Sequence, residues 1–232
     1  MITLSEYITD NISESILSST HTGKAHMDEE FKKYGLKPDK VTLNADGTID
    51  YDGDVLLQFK GLTNLSKLPF KFRNVNGTFD CSRNKLTSLD GCPVSVKVNF
   101  DCGHNNLVSL VGAPKHVGRN FYCYNNGFTS LEGTPDKIEG SFDCSYNRLA
   151  NLNHCPQVIK GSFYCNSNNL TSLKGGPVQV DSNYNCSDNE LTSLEGLPKT
   201  INGVLNCCSN LRKFTDENVL AVCKINKNKI FV

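Results

Sequence analysis

The stretch that decides the fold runs from residue 79 to residue 96 and reads F-D-C-S-R-N-K-L-T-S-L-D-G-C-P-V-S-V. Versions of it recur along the chain, and seven of them carry a cysteine at the same place, 21 residues after the one before. A fixed period of this length indicates a repeat architecture, in which each copy is one structural unit. The seven cysteines are Cys81, Cys102, Cys123, Cys144, Cys165, Cys186 and Cys207.

Further columns keep the same period around these cysteines. An apolar residue, usually Phe, stands two places before each cysteine; two leucine-rich columns, a proline column and a Val/Ile column follow it. The alternation F-x-C predicts a short strand with both apolar side chains on one face, and the Gly-x-Pro stretch predicts a turn. An asparagine stands three places after every cysteine, at Asn84, Asn105, Asn126, Asn147, Asn168, Asn189 and Asn210.

One copy is too small to fold alone, because its few apolar side chains cannot offset the backbone entropy of ordering 21 residues. Stacked copies share their faces and bury a continuous core. The predicted fold is therefore a repeat solenoid, with a parallel β-sheet on its concave face, a mostly irregular convex side and a small α+β N-terminal cap. The complete asparagine column is predicted to bond backbone groups of the neighbouring turn, and Asn147→Ala is expected to cost about 1–3 kcal/mol.

The repeat resembles the leucine-rich repeat L-x-x-L-x-L-x-x-N-x-L, with Phe and Cys at the two strand positions. It is most similar to the short bacterial type, which also continues x-x-L-P. It also resembles the Cys-Ser-x-Asn-x-Leu-Thr-Ser-Leu repeat proteins of tailed phages. The resemblance covers residues 62–214, about two-thirds of the chain, and implies a phage protein that acts in the cytosol of a bacterial host.

The sequence divides into four predicted segments. They are an N-terminal amphipathic helix and linker (1–25), an α+β cap (26–60), a leucine-rich-repeat-like solenoid of about seven repeats (61–214) and a C-terminal helix-strand cap (215–232). Leu4, Ile8, Ile12 and Ile16 line one face of the first helix. The linker, residues 18–25, is rich in Ser and Thr.

The two caps are predicted from shorter patterns. Apolar residues at i, i+4 and i+7 from Met27 predict a short helix that ends at Gly35. Three alternating apolar runs within residues 41–59 predict a β-meander, with hairpin turns at the two Asp-Gly pairs, 46–47 and 52–53. At the other end, the pattern predicts a short helix and then a terminal strand, which together cover the last repeat.

Charge and hydropathy exclude some partners. The 24 basic side chains balance the 24 acidic ones, whereas nucleic-acid and anionic-membrane binders rely on an excess of Lys and Arg. No apolar run approaches the length that spans a bilayer. The sequence therefore predicts no direct nucleic-acid binding and no membrane association.

No motif for catalysis or metal binding is found. The repeated cysteines lie in a line on the buried face rather than in the C-x2-C pairs of zinc sites, so they are interpreted as core residues of a reducing compartment. The aspartates near residue 50 resemble a calcium loop, but the positions that need Gly and Glu hold Val55 and Gly61. P-loop, nucleophile-elbow and zinc-protease motifs do not occur. The chain is expected to be non-enzymatic, with no catalytic residues, no metal and no cofactor.

The residues flanking each buried Phe and Cys form the surface on which partner binding is predicted. Its centre is a cluster of tyrosines flanked by aspartates, and exposed tyrosine on a rigid sheet is typical of recognition surfaces. The alternative is that these aromatic residues only favour strand formation. The acidic side chains predict a protein partner with a neutral or basic surface. The predicted binding residues are Asp80, Arg83, Asp101, His104, Tyr122, Tyr124, Asp143, Tyr146, Tyr164, Asn166, Asn185 and Asp188.

Two functions are predicted from these patterns. The first is a protein-binding module that contacts a host or phage protein and inhibits a host defence or a host enzyme. The second follows from residues 1–14, which resemble the targeting sequences of internal head proteins in T-even-like phages, cleaved after Leu/Ile-x-Glu. That resemblance implies a packaged or structural component of the virion.

Overall fold

The computed structural model describes residues 20–135 and 138–232. The chain forms a parallel β-solenoid of about nine turns with few helices. The helices are α1 (Thr20–Lys33) and α2 (Asp216–Leu220). The strands are, in chain order, β1 (Val41–Leu43), β2 (Thr48–Tyr51), β3 (Val55–Leu56), β4 (Lys71–Val75), β5 (Phe79–Asp80), β6 (Ser95–Val96), β7 (Phe100–Asp101), β8 (His116–Val117), β9 (Phe121–Tyr122), β10 (Phe142–Asp143), β11 (Val158–Ile159), β12 (Phe163–Tyr164), β13 (Gln179–Val180), β14 (Tyr184–Asn185), β15 (Leu205–Asn206) and β16 (Ile230–Phe231).

The F-x-C segments build one sheet, here called the Phe–Cys sheet. Its nine strands lie in the order β16-β15-β14-β12-β10-β9-β7-β5-β3, and all neighbours are parallel. The register repeats by 21 residues, so that Phe142 pairs with Phe121 on one side and with Phe163 on the other. The predicted parallel sheet and solenoid are confirmed.

A narrow second ladder runs through the Val/Ile column on the other side of the solenoid. It begins with β1-β2-β4-β6-β8 and continues through single bridges at Ile138 and Ile201 and through the β11-β13 pair. Each turn contributes only one or two residues to it beyond β4, and the rest of that side is irregular, as predicted for the convex side.

The core between the two ladders consists of stacked columns. Rings from Phe79 to Tyr184 form a continuous stack, with neighbouring centroids 5.1–6.1 Å apart. The seven repeated cysteines are buried beside this stack. The thiol of Cys144, for example, lies 3.4 Å from the carbonyl oxygen of Tyr164 on the next strand. Burial raises the pKa of the Cys144 thiol far above its usual range, so that it remains protonated and packs as a small apolar group.

The asparagine column forms a ladder of side-chain bonds between turns. The amide nitrogen of Asn147 donates to the carbonyl oxygens of Cys123 in the preceding turn and of Cys144 and Ser145 in its own turn, at 3.0–3.2 Å. Its amide oxygen accepts from the backbone N–H of Asn126 at 3.2 Å. One buried amide therefore satisfies backbone groups in two turns, as the sequence predicts.

Part of the N-terminal prediction is wrong. The turn at residues 46–47 does form a hairpin between β1 and β2, but the second Asp-Gly pair does not, because β3 leaves β2 and joins the Phe–Cys sheet beside β5. The reason is that Val55 and Leu57 occupy the Phe and Cys columns, and both are fully buried there. The solenoid thus begins at β2, before the predicted boundary at residue 61. In its first turn, the paired positions on β3 and β5 are 24 residues apart in the sequence.

The helix α1 begins at Thr20, within the segment that the sequence analysis interprets as a linker. Ser and Thr favour both linkers and helix starts, so composition alone does not separate the two. The helix ends as predicted: Gly35 has a φ of 76°, and the N–H of Leu36 donates to the carbonyl oxygen of Phe31 at 2.8 Å. The helix predicted from Leu4, Ile8, Ile12 and Ile16 lies outside the described residues.

The C-terminal end forms the predicted helix and strand. Thr215 caps α2, with the side chains of Thr215 and Asn218 each bonded to the other's backbone N–H. Strand β16 then pairs in parallel with β15 and ends the Phe–Cys sheet. In the part of the chain that the structure describes, no helix has the length and hydropathy needed to cross a membrane.

Candidate binding face

Three rows of side chains form the outer side of the Phe–Cys sheet. The first row, called the Asp/Tyr row, lies between the Phe and Cys columns, and the second follows each cysteine directly. The third, called the left-handed row, comes one residue later. All twelve predicted binding residues lie in these three rows, and their role in binding stays a prediction.

The carboxylates and amides of the Asp/Tyr row have a structural role that the sequence analysis missed. Asp143 Oδ1 accepts from the backbone N–H of Ser145 at 3.0 Å and from its hydroxyl at 2.5 Å. Asp80, Asp101, Asn185 and Asn206 bond the backbone N–H two residues later in the same way. These side chains hold the strand ends in Asx turns, which explains why Asp and Asn recur in this row.

Tyr122 and Tyr164 interrupt this row and cannot make the Asx bond. Both tyrosines are half-buried and flank Asp143 on the neighbouring strands. Burial, together with the nearby carboxylates of Asp101 and Asp143, raises the pKa of Tyr122. At these two positions the chain gives up a stabilising turn bond for an aromatic side chain.

Tyr124 lies at the centre of a packed polar cluster. Its ring meets the ring of His104 edge-on, with centroids 5.1 Å apart. A Cβ at Gly103 would come within 2.8 Å of this ring, so a larger residue at this position would displace the tyrosine side chain. His104 Nδ1 lies 2.6 Å from Asn125 Nδ2, which joins the cluster to the next turn. Burial and the nearby Arg83 lower the pKa of His104 and favour its neutral form.

Every residue of the left-handed row has a positive φ, between 52° and 57°, and none is glycine. This conformation costs L-residues roughly 1–2 kcal/mol each, less for Asn and Asp. The row also begins one turn earlier than predicted, because Phe59 adopts the same conformation one 24-residue turn before Arg83. Its members are Phe59, Arg83, His104, Asn125, Tyr146, Ser167, Asp188 and Ser209.

Phe59 and Leu56 extend this face with apolar surface that the sequence analysis did not assign to it. Phe59 is 71% exposed and Leu56 is 48% exposed. The guanidinium of Arg83 lies 5.4 Å from the centroid of the Phe59 ring. Recognising that residues 55–59 match the repeat, with Val and Leu in the Phe and Cys columns, would have located both.

The charge of the face depends on pH because of Asp101. Burial, together with the neighbouring carboxylates of Asp80 and Asp143, raises the pKa of Asp101 to about 6, although the N–H of Gly103 opposes the shift. Burial also raises the pKa of Asp143. A carboxyl whose pKa is higher in the folded state stabilises the fold most at low pH, and this stabilisation is lost as the pH rises through the folded value.

We expect Asp101→Asn to stabilise the protein at pH 7 by about 1–2 kcal/mol and to have little effect at pH 4. The amide keeps an oxygen for the N–H of Gly103, as Asn185 and Asn206 do in their own turns, and carries no charge. Urea denaturation of both proteins between pH 4 and pH 7 measures the difference. A difference that does not change with pH would contradict the proposed burial of charge at Asp101.

Among the described residues no group of three or more His, Cys, Asp or Glu side chains is arranged to hold a metal ion. The described cysteines are all free thiols. The fold and the face together define a repeat solenoid protein with a mixed aromatic and acidic sheet face. No protein-family model matches the chain, and comparison with curated proteins and with solved structures gives no match either.

Proposed function

We propose that this solenoid is a non-enzymatic binding module that contacts a protein partner through the outer side of the Phe–Cys sheet. The left-handed row is the observation that carries the proposal. Its eight residues are all non-glycine in a conformation that favours glycine. Backbone strain retained at a set of positions is associated with functional sites.

The chain mostly uses glycine where only the fold matters. Two residues before the repeated prolines, five of the six positions with positive φ are glycine and the sixth is His154, with a φ of 66°; the glycines are Gly91, Gly112, Gly133, Gly175 and Gly196. In the left-handed row the side chains instead vary from turn to turn and point to no shared structural role. Variation of this kind, beside an invariant asparagine column, is expected of positions that a partner contacts.

The chemistry of the face favours a neutral or basic protein surface. Tyr122, Tyr124, Tyr146 and Tyr164 offer large amphipathic area at little entropic cost, and the surrounding carboxylates repel nucleic acid. The resemblance to leucine-rich repeats and to phage repeat proteins favours a host or phage protein as the partner. We propose that binding takes place in the cytosol of the bacterial host and inhibits a host defence or a host enzyme.

Tyr146→Gly tests this proposal without weakening the fold. The change removes a side chain that is 58% exposed and relieves the left-handed strain, so we expect stability to rise by about 0.5 kcal/mol or stay unchanged. Affinity for the partner that the wild type retains from host lysate should fall at least about tenfold. Titration calorimetry with that partner and thermal melts measure the two effects.

His154→Gly is the matched control. It makes the same change of a left-handed residue to glycine, with a φ of 66°, but lies in the turn before Pro156 and outside the face, so it should leave affinity unchanged. The binding face is rejected if three proteins bind the partner with equal affinity. They are Tyr146→Gly, the triple variant Tyr122→Ala/Tyr124→Ala/Tyr164→Ala, and the control.

The alternative is a packaged or structural virion component directed by residues 1–14, supported by their resemblance to phage targeting sequences. That function requires the N-terminal segment and not the tyrosines. Recovery of the tyrosine variant in purified particles, together with loss of a chain lacking residues 2–17, would favour it.

A further inference from the structure

The carboxyl group of Asp101 is half-buried on the candidate face and has no cation bonded to it. Its Oδ1 atom accepts from the N–H of Gly103 at 2.8 Å. Among residues 20–135 and 138–232, the ion pairs within 4 Å do not include Asp101 or the neighbouring Asp80 and Asp143. Three carboxyl groups within the adjacent strands β5, β7, β9 and β10 therefore lack a bonded cation.

The chain does pair a comparable carboxyl elsewhere. Asp50, on β2 of the second ladder, bonds the guanidinium of Arg73 at 2.6 Å, and this pair lowers the pKa of Asp50. On the candidate face, the guanidinium of Arg83 instead lies 5.4 Å from the centroid of the Phe59 ring in the preceding turn. Burial and then the neighbouring carboxylates raise the pKa of Asp101 to about 6, and the opposing effect of Arg83 is smaller than theirs. Asp101 therefore lacks the counterion that Asp50 has.

Two tyrosine rings border the carboxyl group of Asp101. Tyr122 is its partner in the strand register, so the two side chains leave the sheet side by side, about 4.8 Å apart. The ring of Tyr124 lies across Gly103, where a Cβ would be 2.8 Å from the ring and 3.1 Å from Oδ1 of Asp101. Asp101, Tyr122 and Tyr124 thus surround one position on the face, here called the Asp101 site.

The aromatic groups around the Asp101 site favour their uncharged forms. Burial, followed by nearby carboxylates, raises the pKa of both Tyr122 and Tyr124, so that their phenols stay protonated at neutral pH. His104 lies edge-on to Tyr124, and burial and Arg83 lower the pKa of its imidazole. Neutral aromatic rings attract cations to their faces, and a carboxylate without a counterion adds charge attraction. The site therefore favours a cation over a neutral or anionic group.

We propose that the partner places one basic side chain, an arginine or a lysine, over Asp101 and against the rings of Tyr122 and Tyr124. This inference rests on the proposed binding function and assigns the chemistry of its central contact. The cation would bond the carboxylate and contact the ring faces at the same time. A guanidinium is well suited to this role, because it is planar, stacks on aromatic rings and carries several donors.

A nuclear magnetic resonance titration of the full-length protein with N-acetyl-arginine amide tests the Asp101 site. The side-chain carboxyl signal of Asp101 and the ring signals of Tyr122 and Tyr124 should shift and saturate, with a dissociation constant on the order of 10 mM. N-acetyl-citrulline amide is the matched ligand, since an uncharged urea group replaces the guanidinium. It should bind at least about fivefold more weakly.

The binding of the arginine probe should depend on pH. Its affinity should fall about tenfold from pH 7 to pH 5, because the ionised fraction of Asp101 falls by that factor around a pKa of about 6. Asp101→Asn should bind at least about fivefold more weakly at pH 7 and should lose most of this pH dependence. This variant is expected to be at least as stable as the wild type at pH 7, so weaker binding would not reflect unfolding.

Asp181→Asn is the matched control variant. Asp181 is exposed directly after β13 on the second ladder, so this change removes one carboxylate outside the candidate face and should leave the affinity unchanged. The inference is overturned if the arginine probe shows no saturable shift up to about 100 mM. Equal affinity of the citrulline ligand, unchanged affinity in Asp101→Asn or an equal loss in Asp181→Asn would also overturn it.

The partner titration with the tyrosine variants distinguishes this inference from the proposed function. Loss of partner affinity in those variants, together with no binding of the arginine probe, would support the binding face and reject the basic side chain at Asp101. Equal partner affinity in those variants and in their control would reject both.

Discussion

Replacing Phe142 by alanine should lower the free energy of unfolding by about 4 kcal/mol. The ring is fully buried and lies between those of Phe121 and Phe163, at centroid distances of 5.6 and 5.8 Å. The neighbouring turns are held in register by strand pairing on both sides, so they cannot close the resulting cavity. Urea denaturation followed by circular dichroism measures the loss.

The position of Phe142 near the middle of the array adds a second readout. Each turn contacts mainly its neighbours, so a weakened central turn lets the two halves unfold separately, and the transition should broaden. Phe231→Ala is the control, because this residue is 53% exposed at the last strand and its truncation should cost less than about 0.5 kcal/mol. Comparable losses in the two variants would contradict the stacked-ring core.

Asn147→Ala should cost about 3 kcal/mol, the upper end of the range expected from sequence alone. The change leaves the carbonyl groups of Cys123, Cys144 and Ser145 and the N–H of Asn126 without their side-chain partner. Because the site is buried, water does not readily replace the amide. Thermal and urea denaturation should agree on the size of the loss.

Asn147→Asp separates the donor from the acceptor role of this amide. The aspartate keeps an acceptor oxygen but places a carboxylate against three carbonyl oxygens, so at pH 7 it should destabilise at least as much as alanine. Burial should raise the pKa of the new carboxyl, and stability should partly return as the pH falls and the group becomes a donor. Asn106→Ala, at an exposed asparagine, should change stability by less than about 0.5 kcal/mol.

The sequence predicts the periodic part of this protein well because each column has one dominant physical role. Phe, Cys, Leu and Asn recur where burial or backbone bonding demands them, and all are found there. The prediction is weaker at the ends of the solenoid, because other residue types occupy the repeat positions there and the repeat is not recognised. Val55 and Leu57 fill the Phe and Cys columns, and their match to the repeat emerges only when β3 pairs with β5.

The sequence predicts where the candidate face lies, but it does not show which of its residues stabilise or strain the fold. The residues between Phe and Cys read as a surface available to a partner, and the structure shows that Asp80, Asp101 and Asp143 also close local turns. The positive φ of Arg83 or Tyr146 cannot be predicted from the sequence, because these positions lack glycine, the residue that usually indicates a positive φ. Only the backbone geometry identifies those positions as strained.

The constant 21-residue register has a consequence for how this surface can change over time. Any two full copies have their Phe, Cys and Asn positions in the same phase, so an unequal exchange between them would add or remove a whole turn and leave every remaining column aligned. Each such event would lengthen or shorten the sheet by one strand spacing, about 4.8 Å, and bring different outward side chains side by side. The architecture thus allows the length and the chemical pattern of the face to evolve without redesign of the core.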